Sequence, residues 1–447
     1  RSSQFIDCRL AVVQSAKDLY GDGSAEMNAA KTAFDEVGIV DGSGGNYQNQ
    51  LPVNPGQDYI LVYNTDPGDL NTLYISSTTG SNFVPISQTP LVNKPSIVDN
   101  GSVAVFVGSD KMIHAITLGS PAQETIIQNE AIWDNVAVSK DGSMLAAVTE
   151  YQDSAIWVYS YQKQAWAKAH LYNPTTQQGV ITNNVLYADA LEWDYSGDFI
   201  MYDAYNQMNS STSGQNVDYW DISFMQVWDK ATANWGNGDV FKLVSGIPEG
   251  ISIGNPSLSK NSPAVCAFDY VDGNTNSVTV LAANLETGDF VQVFGNGVNL
   301  SYPNYSKLDD QIIFSTQYNG SSVIASIAMS PDKVHPAASS ANVLISGAKW
   351  GVWYAQGNRS LGVNELINQV GMQVYPNPTH GNVSISFDKP LAGSCTIEIY
   401  DSRGVRVYST EYAAEKATLD LTGLKAGLYL LKAVGKDFGV TRKIVIQ

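Results

Sequence analysis

Val136-Ala137-Val138-Ser139-Lys140-Asp141-Gly142, followed by MLAAVTE at 144–150, reads as a strand, a tight polar turn and a second hydrophobic strand. β-branched and small apolar residues on both sides of an Asp-Gly turn are the local signature of an antiparallel pair. The layout recurs. Ser96-Ile97-Val98-Asp99-Asn100-Gly101 precedes VAVFVGS, and Leu191-Glu192-Trp193-Asp194-Tyr195-Ser196-Gly197 precedes FIMYDAY. Pro256-Ser257-Leu258-Ser259-Lys260-Asn261 precedes AVCAFDY, and Pro303-Asn304-Tyr305-Ser306-Lys307 precedes QIIFSTQ. With Val98, Ser139, Asp194, Ser259 and Ser306 taken as equivalent, the spacings are 41, 55, 65 and 47 residues. Third and fourth strands follow each pair, as at 155–159 and 169–172, and at 278–282 and 290–294. A four-stranded repeat of this period predicts a β-propeller blade.

Five blades are accounted for in this way. Runs at 59–64, 73–76 and 83–87 supply the second to fourth strands of another. Its first strand is expected from Lys349-Trp350-Gly351-Val352-Trp353-Tyr354 rather than from the local segment 46–53, because joining the chain ends removes free sheet edges. The expectation is a six-bladed β-propeller over 45–357. The long spacing holds an insertion at 206–220, rich in Ser, Asn and Gly, that reads as a loop above the ring. The SxDG-like turn after an inner strand resembles the TolB-like propeller repeat over about 300 residues, with the turn varying among SKDG, VDNG, DYSG and SKNS. Such propellers include interaction platforms, lyases and peptidase gates, so the resemblance implies a fold and no single chemistry.

The first 40 residues differ in texture. Met27, Ala30, Ala33, Phe34 and Val37 recur at helical spacing behind Ser24, a good N-cap, with Glu26 suited to the first turn. An earlier helix over 4–20 stops at Gly21-Asp22-Gly23. Two helices of this length bury too little to stand alone, so the hairpin is expected to dock on something else. The order of residues 9–21, RLAVVQSAKDLYG, followed by KTAFDEVGI at 31–39, resembles the last two helices of the thermolysin family of zinc metallopeptidases. That resemblance implies a zinc-holding catalytic domain upstream. Its HExxH and further ligands have no counterpart in these 447 residues, and Leu19, Tyr20, Phe34 and Val37 match packing positions only. The chain opens with RSSQFIDCRL, with neither Met nor an apolar leader, and reads as the tail of a longer protein.

A polar linker at 358–371 leads to a third region, 372–447. It opens QVYPNPTHGNV and alternates apolar and polar residues at 384–387, 396–400, 406–409, 418–421 and 427–431, predicting a small immunoglobulin-like β-sandwich of roughly seven strands. VYPNPTHGNVSI, IEIYDSRGVRV, the run at 424–432 and the terminal KIVIQ resemble closely the type A C-terminal sorting domain of the Bacteroidetes type IX secretion system. What this implies is export through the outer membrane, recognition by the secretion machinery and cleavage by its sortase. Tyr375, Pro376, Asn377, Pro378, Gly381 and Lys443 stand at its marked positions.

Composition narrows the partners. The 25 Lys+Arg against 43 Asp+Glu give a net charge of −18, which disfavours nucleic acid and anionic lipid. The longest apolar runs fall short of a membrane span. Cys8, Cys266 and Cys395 and the four histidines His114, His170, His335 and His380 show no metal-ligand spacing, so no catalytic or zinc site is expected here. Oxygen-rich turns make Asp269 with Asp272, and Asp309 with Asp310, candidates for calcium, although Asp and Asn also favour turns for their own sake. Ser139, Ser259 and Ser306 recur with the turn and lack a nucleophile elbow. Most tryptophans are expected in blade cores, with Trp220 and Trp235 beside loops as platforms for sugar or peptide. The expected whole is the non-catalytic C-terminal portion of a secreted metallopeptidase whose propeller binds protein or glycan. The alternative is a surface adhesion or scaffold propeller with no enzyme attached.

Overall fold

The computed structural model describes residues 5–21, 23–36, 51–119, 121–173, 180–210, 213–230, 232–244, 246–359, 372–377, 379, 381–387, 394–400, 406–412, 416–434 and 439–446. The protein is mainly β, and it divides into two compact units, Arg1–Leu361 and Gly362–Gln447.

The first unit begins with α1 (Phe5–Tyr20) and α2 (Ala25–Glu36). Gly21 and Gly23 make the turn with φ of 95° and 71°, in the left-handed region that glycine enters without cost. The Ser24 hydroxyl accepts the Met27 amide at 3.2 Å, the cap expected there. Arg9 is buried and donates to the Lys31 carbonyl at 2.9 Å, tying the helices together. Phe34 is half-buried, whereas Leu19 and Tyr20 are exposed; Val37 lies outside the described residues.

Six four-stranded antiparallel sheets follow. The first pairs Ala348–Gln356 with Gln57–Asn64, then Leu73–Ser76 and Val84–Ser87. Its seam joins the two ends of the unit, with Trp353 opposite Ile60 and Tyr354 opposite Tyr59. The second to sixth sheets begin at Ser96–Ile97, Trp133–Val138, Val180–Trp193, Ile251–Leu258 and Asn304–Tyr305, and each runs outward in chain order. Hydrogen bonds link each sheet's first strand to the next. Val138 N donates to Ser96 Oγ, Trp193 Nε1 to the Ala137 carbonyl, Leu258 N to Glu192 Oε2, and Asn304 Nδ2 to Ser257 Oγ. Trp353 N donates to Asn304 Oδ1, and Asn54 Nδ2 completes the circuit by reaching both the Ala355 and Asp99 carbonyls.

The core is correspondingly divided among neighbouring sheets. Val105 and Leu145, Ala146 and Ile200, Met201 and Phe268, Ala267 and Phe314, Ile324 and Trp353, and Leu61 and Phe106, each from two neighbouring sheets, share six buried clusters. Pairs of one large and one small or branched residue let adjacent sheets pack face to face at interior density.

Three expectations need correction. The insertion at 206–220 is not a loop: Phe199–Ser210 and Asn216–Gln226 pair continuously from Phe199 opposite Gln226 to Asn209 opposite Asn216. Backbone pairing requires no apolar side chains, so a Ser- and Asn-rich sequence still extends the hairpin. The outer strand of the third sheet spans Ala165–His170 rather than 169–172, its alternation being muted by Ala and Lys on an exposed edge. Arg359, placed in the linker by its polar surroundings, belongs to the first unit. Its guanidinium is buried, pairs with Asp99 and donates to the Pro52 carbonyl and Asn261 Oδ1.

In the second unit, Met372–Tyr375, Asn382–Phe387 and Lys416–Asp420 form one sheet. Arg406–Tyr412, Cys395–Tyr400, Gly427–Val434 and Gly439–Ile446 form the other. Both sheets share a core in which Val383, Ile385 and Leu419 face Ile397, Leu431 and Ile444. A strand thus precedes the prolines, which the sequence reading placed ahead of the first strand. Pro376 follows the strand Met372–Tyr375 and, having no N–H, ends its pairing.

Candidate functional site

The sorting motif and the end of the chain come together. The Thr379 amide donates to the Val445 carbonyl at 2.9 Å, and the Val445 amide donates to Asn377 Oδ1 at 2.9 Å. Thr379 also bridges Ile446 in parallel, so the segment after Pro376 lies along the free edge of the terminal strand Gly439–Ile446. Gly381 is required by two constraints. Its φ is +126°, and a Cβ there would stand 2.6 Å from Thr422 Cγ2 and 3.0 Å from Thr422 Cα. Thr379 Oγ1 accepts the Gly381 amide at 3.1 Å and donates to the Asn382 carbonyl at 2.7 Å, which fixes the turn. Tyr375, Pro376 and Asn377 are exposed on this turn. Pro378 lies outside the described residues, and Lys443 is placed by its backbone, opposite Leu430.

On the fourth sheet, Tyr187, Tyr205 and Trp220 occupy neighbouring strands and form a partly exposed aromatic triad. Ring centroids are separated by 5.4 Å between Tyr187 and Tyr205, 5.5 Å between Tyr187 and Trp220, and 5.4 Å between Tyr205 and Trp220. Its rim is polar: Gln207 donates to Asp218, and hydrogen bonding to Asp218 pushes the Tyr205 hydroxyl up to about 12. Trp235 stands apart from this group. It lies in a short ribbon opposite Trp228, with ring centroids at 5.4 Å and an edge-on geometry, and closes over the core of the third and fourth sheets.

The acidic candidates are absorbed by the fold. Asp269 is buried and accepts the Ser301 and Tyr302 amides and Asn255 Nδ2, at 2.9 to 3.2 Å. Burial raises its pKa while these donors lower it. Asp272 caps its own turn by accepting the Asn274 and Thr275 amides, and the hydrogen bond from Thr275 lowers its pKa most. Asp309 pairs with Lys333 at 3.0 Å, and Asp310 accepts Ser306 Oγ at 2.7 Å. The recurrent serines brace turns as well: Ser139, Ser259 and Ser306 accept the amides of Met144, Ser262 and Gln311. Among the described residues, no three His, Cys, Asp or Glu side chains converge in a way that would hold a metal.

A feature that sequence reading missed lies on the inner strands. A cavity of about 80 Å³, open to solvent, is lined by Lys94, Lys140, Lys260 and Glu192, together with Asn135 and Asn304. Lys140 pairs with Glu192 at 2.6 Å, and Lys94 Nζ donates to the Tyr302 and Pro303 carbonyls at 3.2 and 3.0 Å. Burial pushes Lys94 down to about 8; burial and the neighbouring Lys140 push Lys260 down to about 7. Burial followed by the charge of Asp134 raises the Asp189 carboxyl on the same wall. These residues come from five successive sheets, so only the closed arrangement assembles them.

Residues 373–447 match the family described as "Secretion system C-terminal sorting domain". This end of the chain is a type IX sorting domain, and it directs the protein across the outer membrane to the cell surface. Among solved structures, the chain is similar to TolB from Acinetobacter baumannii at 14% identity and a TM-score of 0.47, covering 74% of this chain and 73% of that one. It is also similar to a prolyl endopeptidase at 13% identity and a TM-score of 0.35, covering 99% of this chain and 55% of the other. A dihydro-heme d1 dehydrogenase matches at 12% identity and a TM-score of 0.34, covering 94% and 92%. No helix among the described residues is long and apolar enough to cross a membrane.

Proposed function

We propose that this chain is the exported, non-catalytic C-terminal portion of a thermolysin-like zinc metallopeptidase. In this reading the six sheets form a six-bladed propeller that binds extracellular protein or glycan. The C-terminal unit is an immunoglobulin-like sandwich read by the type IX machinery and its sortase.

The observation that carries the reading is the apolar face of α1, where Leu19 is 75% exposed, Tyr20 60% and Val12 41%. Apolar side chains gathered on one face of a short helical pair suit a surface that a further domain covers. Leu19 and Tyr20 fall in the LYG helix end whose order resembles the family. Zinc finds no ligand set among the described residues, and His114 is already held between Glu124 at 2.8 Å and Asp110 at 3.0 Å. In this reading the zinc would be held by the domain that α1 and α2 would complete, and no step of its chemistry is assigned to these residues.

The aromatic triad around Trp220 supplies the binding face, since stacked rings beside a polar rim suit a sugar face or an aromatic peptide side chain. The coding sequence upstream of Arg1 tests the parentage: an HExxH motif with a downstream Glu is expected, and its absence leaves an adhesion or scaffold propeller in its place. The purified 447-residue chain should cleave neither casein nor peptides in the presence of zinc. Chelator-sensitive turnover that persists through purification would overturn the non-catalytic reading. Binding is tested by Trp220→Ala, expected to weaken glycan or peptide capture by roughly ten-fold without changing the unfolding midpoint.

A further inference from the structure

The cavity on the inner strands is built by the repeat itself. The residues immediately after Val98, Ser139, Asp194, Ser259 and Ser306 are Asp99, Lys140, Tyr195, Lys260 and Lys307, and all five line a second cavity of about 40 Å³. This cavity shares Lys140 and Lys260 with the larger one. One repeat position from successive sheets thus faces a common space, and three of the five residues are lysines in a chain with 25 basic and 43 acidic residues.

Two cations around that space, Lys94 and Lys260, have no carboxylate of their own among the described residues, while the wall also carries Asp189. Asp99 is taken by Arg359, and Glu192 is taken by Lys140 and the Leu258 amide. Lys307 donates to the Gly56 carbonyl at 3.0 Å with Asp58 at 3.9 Å. The Tyr195 hydroxyl donates to the Ser259 carbonyl at 2.7 Å. The charges acting on Lys260 are those of Lys140, Glu192, Lys94 and Asp309, and both carboxylates already have a cation of their own, Lys140 for Glu192 and Lys333 for Asp309. Lys260 Nζ makes no hydrogen bond or ion pair with a described residue. Lys94 meets only backbone carbonyls.

The wall amides are likewise committed. Asn135 Nδ2 donates to the Asp189 carbonyl, Asn255 Nδ2 to Asp269 and Asn304 Nδ2 to Ser257. The donors left to meet a ligand are ammonium groups, which favour an oxyanion over a neutral hydroxyl.

We propose that this cavity is a ligand site, separate from the aromatic triad, for the oxyanion of a small organic acid or phosphate, held by Lys94, Lys140 and Lys260. Ammonium groups crowded together in a partly desolvated space destabilise one another, and a bound anion relieves that repulsion. Burial first, and then the charge of Lys140, pushes the Lys260 ammonium down.

The test is calorimetric titration of the full chain at low ionic strength and pH 6.5 with citrate, inorganic phosphate and glucose. Citrate or phosphate should bind in the millimolar range or tighter, with glucose silent. The tighter of the two anions identifies carboxylate or phosphate as the natural group. Lys260→Met should weaken the binding by roughly ten-fold, and the exposed Lys230→Met should leave it unchanged. If Lys260→Met does not fold, amine acylation of the wild-type chain read by mass spectrometry takes its place: the anion should slow labelling of Lys260 several-fold and leave Lys230 unaffected. Absence of anion binding, equal binding by Lys260→Met, or labelling of Lys260 indifferent to the anion would overturn the proposal.

Discussion

The two units treat the ends of their sheets in opposite ways. In the first, the strand Ala348–Gln356 returns to pair with Gln57–Asn64, so segments nearly 300 residues apart cover each other's edges. In the second, the terminal strand Gly439–Ile446 stays at a sheet edge, where among the described residues Val445 and Ile446 meet the short 377–379 segment and Arg442 Nε donates to the Met372 carbonyl at 3.0 Å. Sealing an edge serves stability, because unpaired amides and carbonyls invite other chains. Leaving one partly open, pinned by a few hydrogen bonds, keeps backbone groups available for recognition. The seam of the first unit is therefore structural, and the edge of the second belongs to the sorting domain.

The seam should be the more costly place to disturb. Trp353 is buried between Ile60 and Ile324, its indole donates to Asp58 at 2.8 Å, and its amide donates to Asn304. Trp353→Ala should lower the stability of the first unit by about 3–5 kcal/mol, measured by denaturant unfolding, while the second unit's transition stays in place. A loss below about 1 kcal/mol would mean that the seam is dispensable. In the second unit, Gly381→Ala forces a β-carbon against Thr422 at a φ of +126° and should cost about 1–3 kcal/mol there. Asn377→Ala removes one hydrogen bond to the terminal strand and should cost about 1 kcal/mol.

These sites also show what the sequence could reveal. The inner strand pairs were legible because Ser139-Lys140-Asp141-Gly142 and its relatives combine turn chemistry with flanking apolar runs, both local signals. The hairpin of Phe199–Ser210 and Asn216–Gln226 was hidden, since pairing across polar residues is decided by the partner strand and not by periodicity. Pro376, Asn377 and Gly381 could be marked as a motif, yet the contact of Asn377 with Val445 spans 68 residues and appears only in three dimensions. The lysine cavity was half visible: Ser-Lys recurs at 139–140, 259–260 and 306–307, but that these side chains share one space follows from the sheets being arranged about an axis.

A further expected effect, on the order of 2 kcal/mol between pH 7 and 9, is a dependence on pH. Lys260 has a folded pKa of about 7, against an ordinary value near 10.4, so between these limits the unfolded chain binds the extra proton. Stability of the first unit should therefore rise as the pH goes from 7 to 9, with Lys94 adding to the rise above about 8. Below pH 7 both states are protonated and the contribution levels off. Lys260→Met should flatten the slope, as denaturant midpoints at pH 7, 8 and 9 would show; an unchanged slope would place the titration elsewhere.

The central claim is that the export address is a folded surface completed by the last strand. It is tested most directly by fusing residues 373–447 to a soluble reporter in a cell with a type IX machine, beside the same fusion lacking 443–447. The deletion removes the partners of Gly427, Leu428, Tyr429 and Leu430, together with the Val445 contacts to Asn377 and Thr379. The complete fusion should reach the cell surface and the shortened one should remain in the periplasm; equal export of both would contradict the account.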